Sequence, residues 1–265
     1  MGITIDNLSI EVTRRCNQVC DHCLRGKAQN INIDIKYVNT LFSKINAISA
    51  LTITGGEPSI AVKAINDIID SAIIYNVEIS NFYIATNGKR LTMPFIEAIK
   101  RLYDFCDSND ISRVEISNDK FHDLPQETRA FQEFLELEFT GYRWENRDRV
   151  NLFYMPQTFN QNNQWIYPYF ENGENGLINT GLAFENGLGT VTEEKDIIEI
   201  REIPDTETSE TLYDIIDGYI YLNCKGKILT GCNFSFEEQD DKNSPFFICD
   251  VNDFSIKKIK QHIAS

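Results

Sequence analysis

Short apolar runs recur along the first half of the chain at intervals of about 30 residues, which is the length of one βαβ unit. Residues 51–54, 82–85 and 114–117 have the composition of buried strands. Between these runs, apolar residues return every three or four positions, as they do on the buried face of an amphipathic helix. The first such stripe runs from Ile35 to Ile48. The pattern predicts a parallel sheet whose strands alternate with helices.

The same periodicities predict further elements on either side of this region. A strand at residues 8–12 precedes the first helix, and one at 150–154 follows a helix that carries Phe131 and Phe134. Together these elements give at least five strands.

The C-terminal part of the chain is less regular. Glycines between residues 173 and 189 indicate loops. Beyond them we predict a strand at 196–203, a hairpin formed by 219–223 and 228–230, and a helix at 255–263.

Length and composition suit one large α/β domain, with room for a small second unit. The chain has 265 residues, of which 42% are hydrophobic, and this is enough for a substantial core. No apolar run approaches the roughly 20 residues that a membrane-spanning helix needs. The first residues lack the basic and apolar regions of a signal peptide. We therefore expect a cytoplasmic protein without a membrane partner.

The net charge narrows the choice of partner. It is −15, from 40 acidic and 25 basic residues, and no basic stripe offsets its repulsion of a phosphate backbone. Nucleic acid is therefore not expected to bind. The acidic groups at 193–194 and 237–241 are interpreted as solvated surface or loop.

Three of the seven cysteines lie within eight residues: Cys16, Cys20 and Cys23. In a chain without an export signal, clustered thiols indicate metal binding or catalysis rather than disulfides. A structural zinc site prefers four protein ligands, whereas an iron-sulfur cubane held by three cysteines leaves one iron open. Two other interpretations of the cysteines remain open at this point. They form a zinc site completed by His22 or a distant ligand, or they are unrelated surface cysteines.

A second group of residues follows the predicted strands. Thr54-Gly55-Gly56-Glu57-Pro58 ends one strand, where glycines allow close approach and a carboxylate can pair with an ammonium. Thr86-Asn87-Gly88 and Ser117-Asn118-Asp119 end the next two. Parallel strands place their carboxyl ends at one edge of the sheet, where ligands bind, although ordinary turn chemistry explains such residues too.

The C-x3-C-x2-C spacing followed by Gly-Gly-Glu-Pro resembles the radical S-adenosylmethionine (SAM) superfamily. The resemblance implies a 4Fe-4S cluster on the three cysteines, with SAM completing the coordination of the open iron. It also implies an α/β fold, a partial (β/α)6-type TIM barrel over residues 1–190, with a small hairpin-and-helix extension at 191–265. The residues it implies for SAM binding are His22, Gly55, Gly56, Glu57, Pro58, Thr86, Asn87, Ser117 and Asp119.

The resemblance also implies a reaction. One electron, from a donor such as flavodoxin or ferredoxin, would cleave SAM to methionine and a 5'-deoxyadenosyl radical, which abstracts hydrogen from a substrate. That substrate is a peptide or a small molecule such as a nucleotide. The non-enzymatic alternative is a zinc or iron-sulfur regulatory module that never turns SAM over.

The remaining cysteines allow two interpretations. Residues 223–232 resemble the glycine-hairpin-cysteine segment of SPASM and twitch extensions, which bind auxiliary clusters. The spacing from Gly226 to Cys232 is one residue too long, and beyond Cys249 no dense cysteine group follows. We therefore predict a C-terminal cap in which Cys224, Cys232 and Cys249 hold no cluster.

Three further positions carry weaker expectations. Cys106 is predicted to pack in the core. His122 is expected on an exposed loop, with proton transfer near the substrate as the alternative. Leu182 replaces the arginine of a Gly-Arg-Ala-like segment that is common in the superfamily, which puts an arginine contact to SAM there in doubt.

Overall fold

The computed structural model describes residues 2–119, 121–143, 158–159, 165–166, 177–189, 197–204 and 211–265. The predicted strand at 150–154 and the glycines Gly173 and Gly176 lie outside these residues. The helices are α1 (Ile35–Phe42), α2 (Val62–Tyr75), α3 (Met93–Phe105), α4 (Arg129–Glu136), α5 (Gly181–Glu185), α6 (Phe236–Asp240) and α7 (Ile256–Ile263). The strands are β1 (Ile3–Thr13), β2 (Ala47–Gly55), β3 (Glu78–Thr86), β4 (Arg113–Ile116), β5 (Thr140–Tyr142), β6 (Thr158–Phe159), β7 (Trp165–Ile166), β8 (Glu199–Pro204), β9 (Thr211–Leu222), β10 (Lys227–Thr230) and β11 (Phe247–Asp250).

Nine of these strands form one mostly parallel sheet, as the apolar pattern predicts. Its order is β11-β10-β9-β1-β2-β3-β4-β5, with β8 also paired to β9. From β9 to β5 all neighbours are parallel, whereas β8, β10 and β11 pair antiparallel. Closure into a partial barrel stays a prediction, because the residues that directly follow 143 are not among those described. None of the described helices is long and apolar enough to cross a membrane.

One face of the sheet is apolar and packs against helices. Each central strand contributes alternate side chains to it, and the apolar stripes of α1, α2 and α3 complete the same buried cluster. This burial is the main source of stability, because apolar area removed from water contributes about 25 cal/mol per Å². The sheet residues on this face include Leu8, Ile10, Leu51, Ile53, Phe82, Ile84, Val114 and Ile116.

The opposite face of the same strands is polar. Ser9 of β1 pairs in register with Thr52 of β2, which pairs with Tyr83 of β3. Two residues further along β1, Glu11 pairs in register with Thr54 of β2. A parallel sheet covered by helices on both faces has apolar residues on both. The alternation over the carboxyl halves of these strands therefore indicates a site on this part of the face rather than a second helical layer.

Three predictions about local structure need correction. The apolar stripe that predicts α1 continues to Ile48, yet α1 ends at Phe42 and Ile48 lies in β2, because a short apolar run has no period that separates helix from strand. Residues 237–241 are not simply solvated surface. They belong largely to α6, which begins with a capping box between Ser235 and Glu238. His122 is not exposed, since only 10% of its side chain is accessible.

The predicted C-terminal hairpin is present as β9 and β10, and β9 is longer than predicted. It runs parallel to β1 and pairs with it along two stretches, from Ile3 to Ile5 and from Asn7 to Ile10. The C-terminal region therefore extends the same sheet. The boundary at residue 190 stays a prediction.

Truncating a side chain on one face of the sheet is expected to change the free energy of unfolding differently from truncating one on the other face. Leu51→Ala is expected to lower the free energy of unfolding by about 2–5 kcal/mol, because it opens a cavity in the apolar core. Its neighbour Thr52 lies on the polar face, and Thr52→Ala is expected to lower it by less than about 1 kcal/mol. Urea unfolding measures both, and equal losses would show that both faces belong to a packed core.

Candidate functional site

The cysteine loop, residues 14–34 between β1 and α1, lies at the carboxyl edge of the parallel strands. Its ends are joined by backbone hydrogen bonds from Arg14 N to Ile31 O (2.8 Å) and from Gln29 N to Arg14 O (2.9 Å). Beside the loop is a cavity of about 200 Å³, lined by all three motif thiols, Cys16, Cys20 and Cys23.

The three thiols lie close enough to influence one another. Burial raises the pKa of Cys20 to about 12, and the neighbouring Cys23 and Cys16 add to the shift. Burial also raises the pKa of Cys16 and of Cys23. All three are free cysteines. Thiols held this way are protonated without a metal, and a bound cation would displace their protons, since metal affinity and thiol ionisation are linked.

Their spacing distinguishes between kinds of metal centre. Four sulfurs at about 2.3 Å from one zinc ion stand roughly 3.8 Å apart. Among the residues that the structure describes, the one trio of His, Cys, Asp or Glu ligand atoms that all lie within 4.8 Å of one another is His22, Asp119 and His122. The three thiols do not form such a set. The metal-free arrangement of the thiols is therefore not preformed for a single zinc ion.

The Gly-Gly turn after β2 contacts the start of the cysteine loop. Gly56 N donates to Thr13 O at 2.7 Å, and Glu57 N donates to Arg15 O at 2.9 Å. A Cβ on Gly55, whose φ is +145°, would lie 2.1 Å from Thr13 O, and one on Gly56 would lie 2.3 Å from Arg15 O. The glycines are thus required by a backbone contact within the protein, a reason that their sequence pattern alone did not indicate.

The buried Glu57 carboxylate connects this turn to the end of β3. It accepts hydrogen bonds from Ser59 N (2.9 Å), Thr86 Oγ1 (2.6 Å) and Asn87 N (2.7 Å). A carboxylate has about four acceptor positions. Glu57 therefore holds two strand ends together and keeps about one position for a further donor.

An aromatic and acidic group lies at the cavity, where His22 and His122 belong to the lining. Asp119 accepts hydrogen bonds from Phe121 N (2.9 Å) and His122 Nδ1 (2.8 Å). The His22 ring stacks on Phe121 at 4.3 Å and meets the edge of His122 at 5.1 Å. Burial lowers the pKa of His22 to about 4. Burial opposes ionisation of Asp119, yet the hydrogen bond from His122 keeps the Asp119 pKa below its ordinary value.

The structure brings nearly all of the predicted site residues to this one cavity. Asp119 is the exception, since it lies behind His122 and holds that ring. The lining residues that the sequence predicted are Cys16, Cys20, His22, Cys23, Gly55, Gly56, Glu57, Pro58, Thr86, Asn87 and Ser117.

Sequence reasoning missed several other residues of the lining. Ser9, Thr52 and Tyr83 belong to the polar sheet face, and their regular alternation with apolar neighbours was a readable signal. Other contributors had no local signal, because distant segments bring them to the cavity. These are Arg25, Arg143, Tyr219 and Asn233.

The C-terminal cysteines have separate surroundings. The Cys224 thiol is buried and donates to Glu11 O at 3.1 Å. Cys249 packs in the main apolar core, and burial raises its pKa to about 12. Cys232 lines the cavity. Cys106 is buried in the same core as Cys249, as predicted.

Two solved structures illustrate how this chain compares with known folds. One is native anSMEcpe with bound AdoMet and Cp18Cys peptide, at 9% sequence identity and a TM-score of 0.42, covering 100% of this chain and 82% of that chain. The other is native anSMEcpe with bound AdoMet and Kp18Cys peptide, at 10% and 0.43, covering 98% and 82%. Values this low establish no shared family, activity or substrate. No protein-family model and no curated protein sequence matches the chain.

The bonds of Glu57 predict a stability effect without any ligand. Glu57→Ala leaves three donors at the strand ends without their acceptor and is expected to lower the free energy of unfolding of the metal-free protein by about 2–4 kcal/mol. Glu97→Ala, on the exposed side of α3, is the control and should change it by less than about 0.5 kcal/mol. An unchanged urea midpoint for Glu57→Ala would mean that this carboxylate does not hold the strand ends.

Proposed function

We propose that the chain is a radical SAM enzyme. The observation that carries the proposal is that the three motif cysteines line one cavity together with the Gly55–Glu57 turn. This edge of a parallel sheet is where ligands of open α/β sheets bind.

The donor set fits an iron-sulfur cluster. Cys16, Cys20 and Cys23 would hold a 4Fe-4S cluster and leave one iron without a protein ligand. When bound, the cluster supplies one electron, taken from a donor such as flavodoxin or ferredoxin, that cleaves SAM to methionine and a 5'-deoxyadenosyl radical able to abstract hydrogen from a substrate.

The protein's own groups would orient SAM from two sides. Glu57 offers its remaining acceptor position to an ammonium, which is a charge-assisted pair in a buried setting. Thr86 and Asn87 are fixed by Glu57 and present polar atoms beside Cys16, whose sulfur lies 3.8 Å from Asn87 Nδ2. On the other side, Ser117 and the His22 ring line the cavity.

The substrate would lie deeper, against the polar sheet face. Ser9 is buried, and its hydroxyl has no hydrogen-bond partner in the described residues, while Thr52, Tyr83 and Arg143 add further polar groups to the wall. Such a wall suits the amides of a peptide. A nucleotide or another small metabolite is the alternative substrate.

A second candidate function is a metal-binding regulatory module. It is favoured by the His22, Asp119 and His122 trio, which is largely buried and close enough to ligate one ion. Two imidazoles and a carboxylate suit zinc or another divalent metal. Metal content separates this candidate from the enzyme.

Anaerobic reconstitution is expected to load about four irons per chain, with a brown, cluster-type absorption spectrum. The Cys16→Ala, Cys20→Ala, Cys23→Ala triple variant should bind essentially none, because Cys232 is then the one cysteine left in the cavity lining. Cys106→Ala removes a core thiol away from the cavity and should keep the full complement. Elemental analysis for iron and zinc measures both outcomes. Zinc in place of iron favours the regulatory module, and cluster iron retained by the triple variant would show an auxiliary centre.

Turnover of SAM is the second test of the proposal. With a strong one-electron reductant, the reconstituted protein is expected to form 5'-deoxyadenosine and methionine, quantified by liquid chromatography and mass spectrometry. The triple cysteine variant supplies the background. A protein that binds SAM and holds a reduced cluster yet forms no 5'-deoxyadenosine would contradict the enzyme assignment.

A further inference from the structure

Two buried arginines flank the cysteine motif symmetrically. Arg14 lies two residues before Cys16, and Arg25 lies two residues after Cys23. Arg14 is fully buried and Arg25 is 8% exposed. A buried guanidinium is tolerated only when its donors and its charge are well partnered. The partners of these two side chains therefore show what the cysteine loop is built against.

Arg14 joins both ends of the cysteine loop to α6. Its Nε donates to Glu11 Oε1 (2.8 Å), and its Nη1 donates to Gln29 Oε1 (3.2 Å). On the C-terminal side, Nη1 donates to Asp240 Oδ2 (2.9 Å) and Nη2 to Gln239 Oε1 (3.0 Å). Four partners from three parts of the chain thus meet at one side chain.

Arg25 contacts the same C-terminal segment from the other end of the motif. Its Nη1 donates to Phe234 O at 2.7 Å, and its own carbonyl accepts from Phe236 N at 3.0 Å. The guanidinium lies 5.1 Å from the centre of the Tyr221 ring and 5.4 Å from that of Phe234, within cation-π range. No carboxylate of the described residues forms a salt bridge with Arg25.

The first turn of α5 supports the loop between these two arginines. Leu182 N donates to Cys23 O at 2.9 Å, and a Cβ on Gly181 would lie 2.3 Å from Leu24 O. Thr180 Oγ1 in turn donates to Glu238 Oε2 of α6 at 2.5 Å. Thr180 therefore connects the start of α5 to α6, the helix that Arg14 also contacts.

We propose that residues 233–240, the buttress segment, are part of the cluster-binding site, with Arg14 and Arg25 as the positioning residues that fix the cysteine loop against it. Between Arg14 and the start of α1 the loop contains no helix or paired strand beyond one isolated bridge, at Asn32. Its shape therefore depends on these tertiary contacts, and the three thiols diverge when the buttress segment loosens. Only the identity of the bound group rests on the proposed function.

The test weakens the contacts singly and leaves Arg14 in place, since its removal would bury Glu11 without its charged partner. Asp240→Ala removes the salt bridge from Arg14 to α6 and leaves the bond to Gln239. Arg25→Gln removes the guanidinium contact to Phe234 O. The exposed neighbours offer matched controls that change the same charges, Asp241→Ala and Lys27→Gln.

Hydrogen-deuterium exchange on the metal-free chain gives the first readout. In both test variants, amides of residues 16–29 and of residues 233–240 are expected to exchange about tenfold faster, because a charge-assisted bond that resists opening is lost. The controls should exchange at the wild-type rate. Faster exchange confined to residues 233–240 would overturn the proposal. If Arg25→Gln fails to fold, Arg25→Lys, which keeps the charge but not the guanidinium geometry, should show the same paired increase to a smaller extent.

Iron release gives the second readout. From reconstituted Asp240→Ala, loss of iron to a chelator is expected to be about tenfold faster than from wild type or Asp241→Ala, and equal rates would contradict the proposal. If the wild-type chain loads no iron, the proposed function fails. The exchange experiment still decides whether the buttress segment positions the loop.

Discussion

The site depends on one close contact between two backbone segments. At the carboxyl edge of the sheet, residues 13–15 lie against Gly55–Glu57 at a distance that only glycine permits. This contact places the cysteine loop beside the glycine turn before any cofactor binds. Glu57 then extends the connection to β3, and Ser117 N, which donates to Thr86 O at 2.8 Å, extends it to the residue that follows β4. Four strand ends are thereby held in one arrangement.

A second constraint is the polar face of the sheet. Burial of Ser9, Glu11 and their neighbours is unfavourable unless hydrogen bonds satisfy them. Glu11 is satisfied within the protein by Arg14, Cys224 N and Tyr221 OH, so one buried carboxylate connects the sheet, the cysteine loop and the C-terminal hairpin. Where this face lines the cavity, the buried Ser9 hydroxyl has no hydrogen-bond partner among the described residues, whereas Tyr83 OH donates to Glu115 at 3.0 Å.

Sequence reasoning succeeded where the signal was local. The strands follow from apolar runs, and the motif cysteines share one loop because they are near in sequence. It failed where contacts join distant segments: Arg14 and Asp240 are separated by 226 positions, and no periodicity reports such a pair. The acidic run at 237–241 was misinterpreted because charged residues are usually solvated, although the Ser235 to Glu238 capping box was readable. The barrel and the domain boundary remain predictions.

The central claim is that three cysteines hold a cluster with one iron open to SAM. Electron paramagnetic resonance of the reconstituted, reduced protein tests it most directly, because an added ligand on that iron changes the spectrum of the cluster. The account predicts a signal that shifts on addition of SAM and is absent from the triple cysteine variant. A cluster signal that stays unchanged while SAM binding is shown separately by equilibrium dialysis would contradict it.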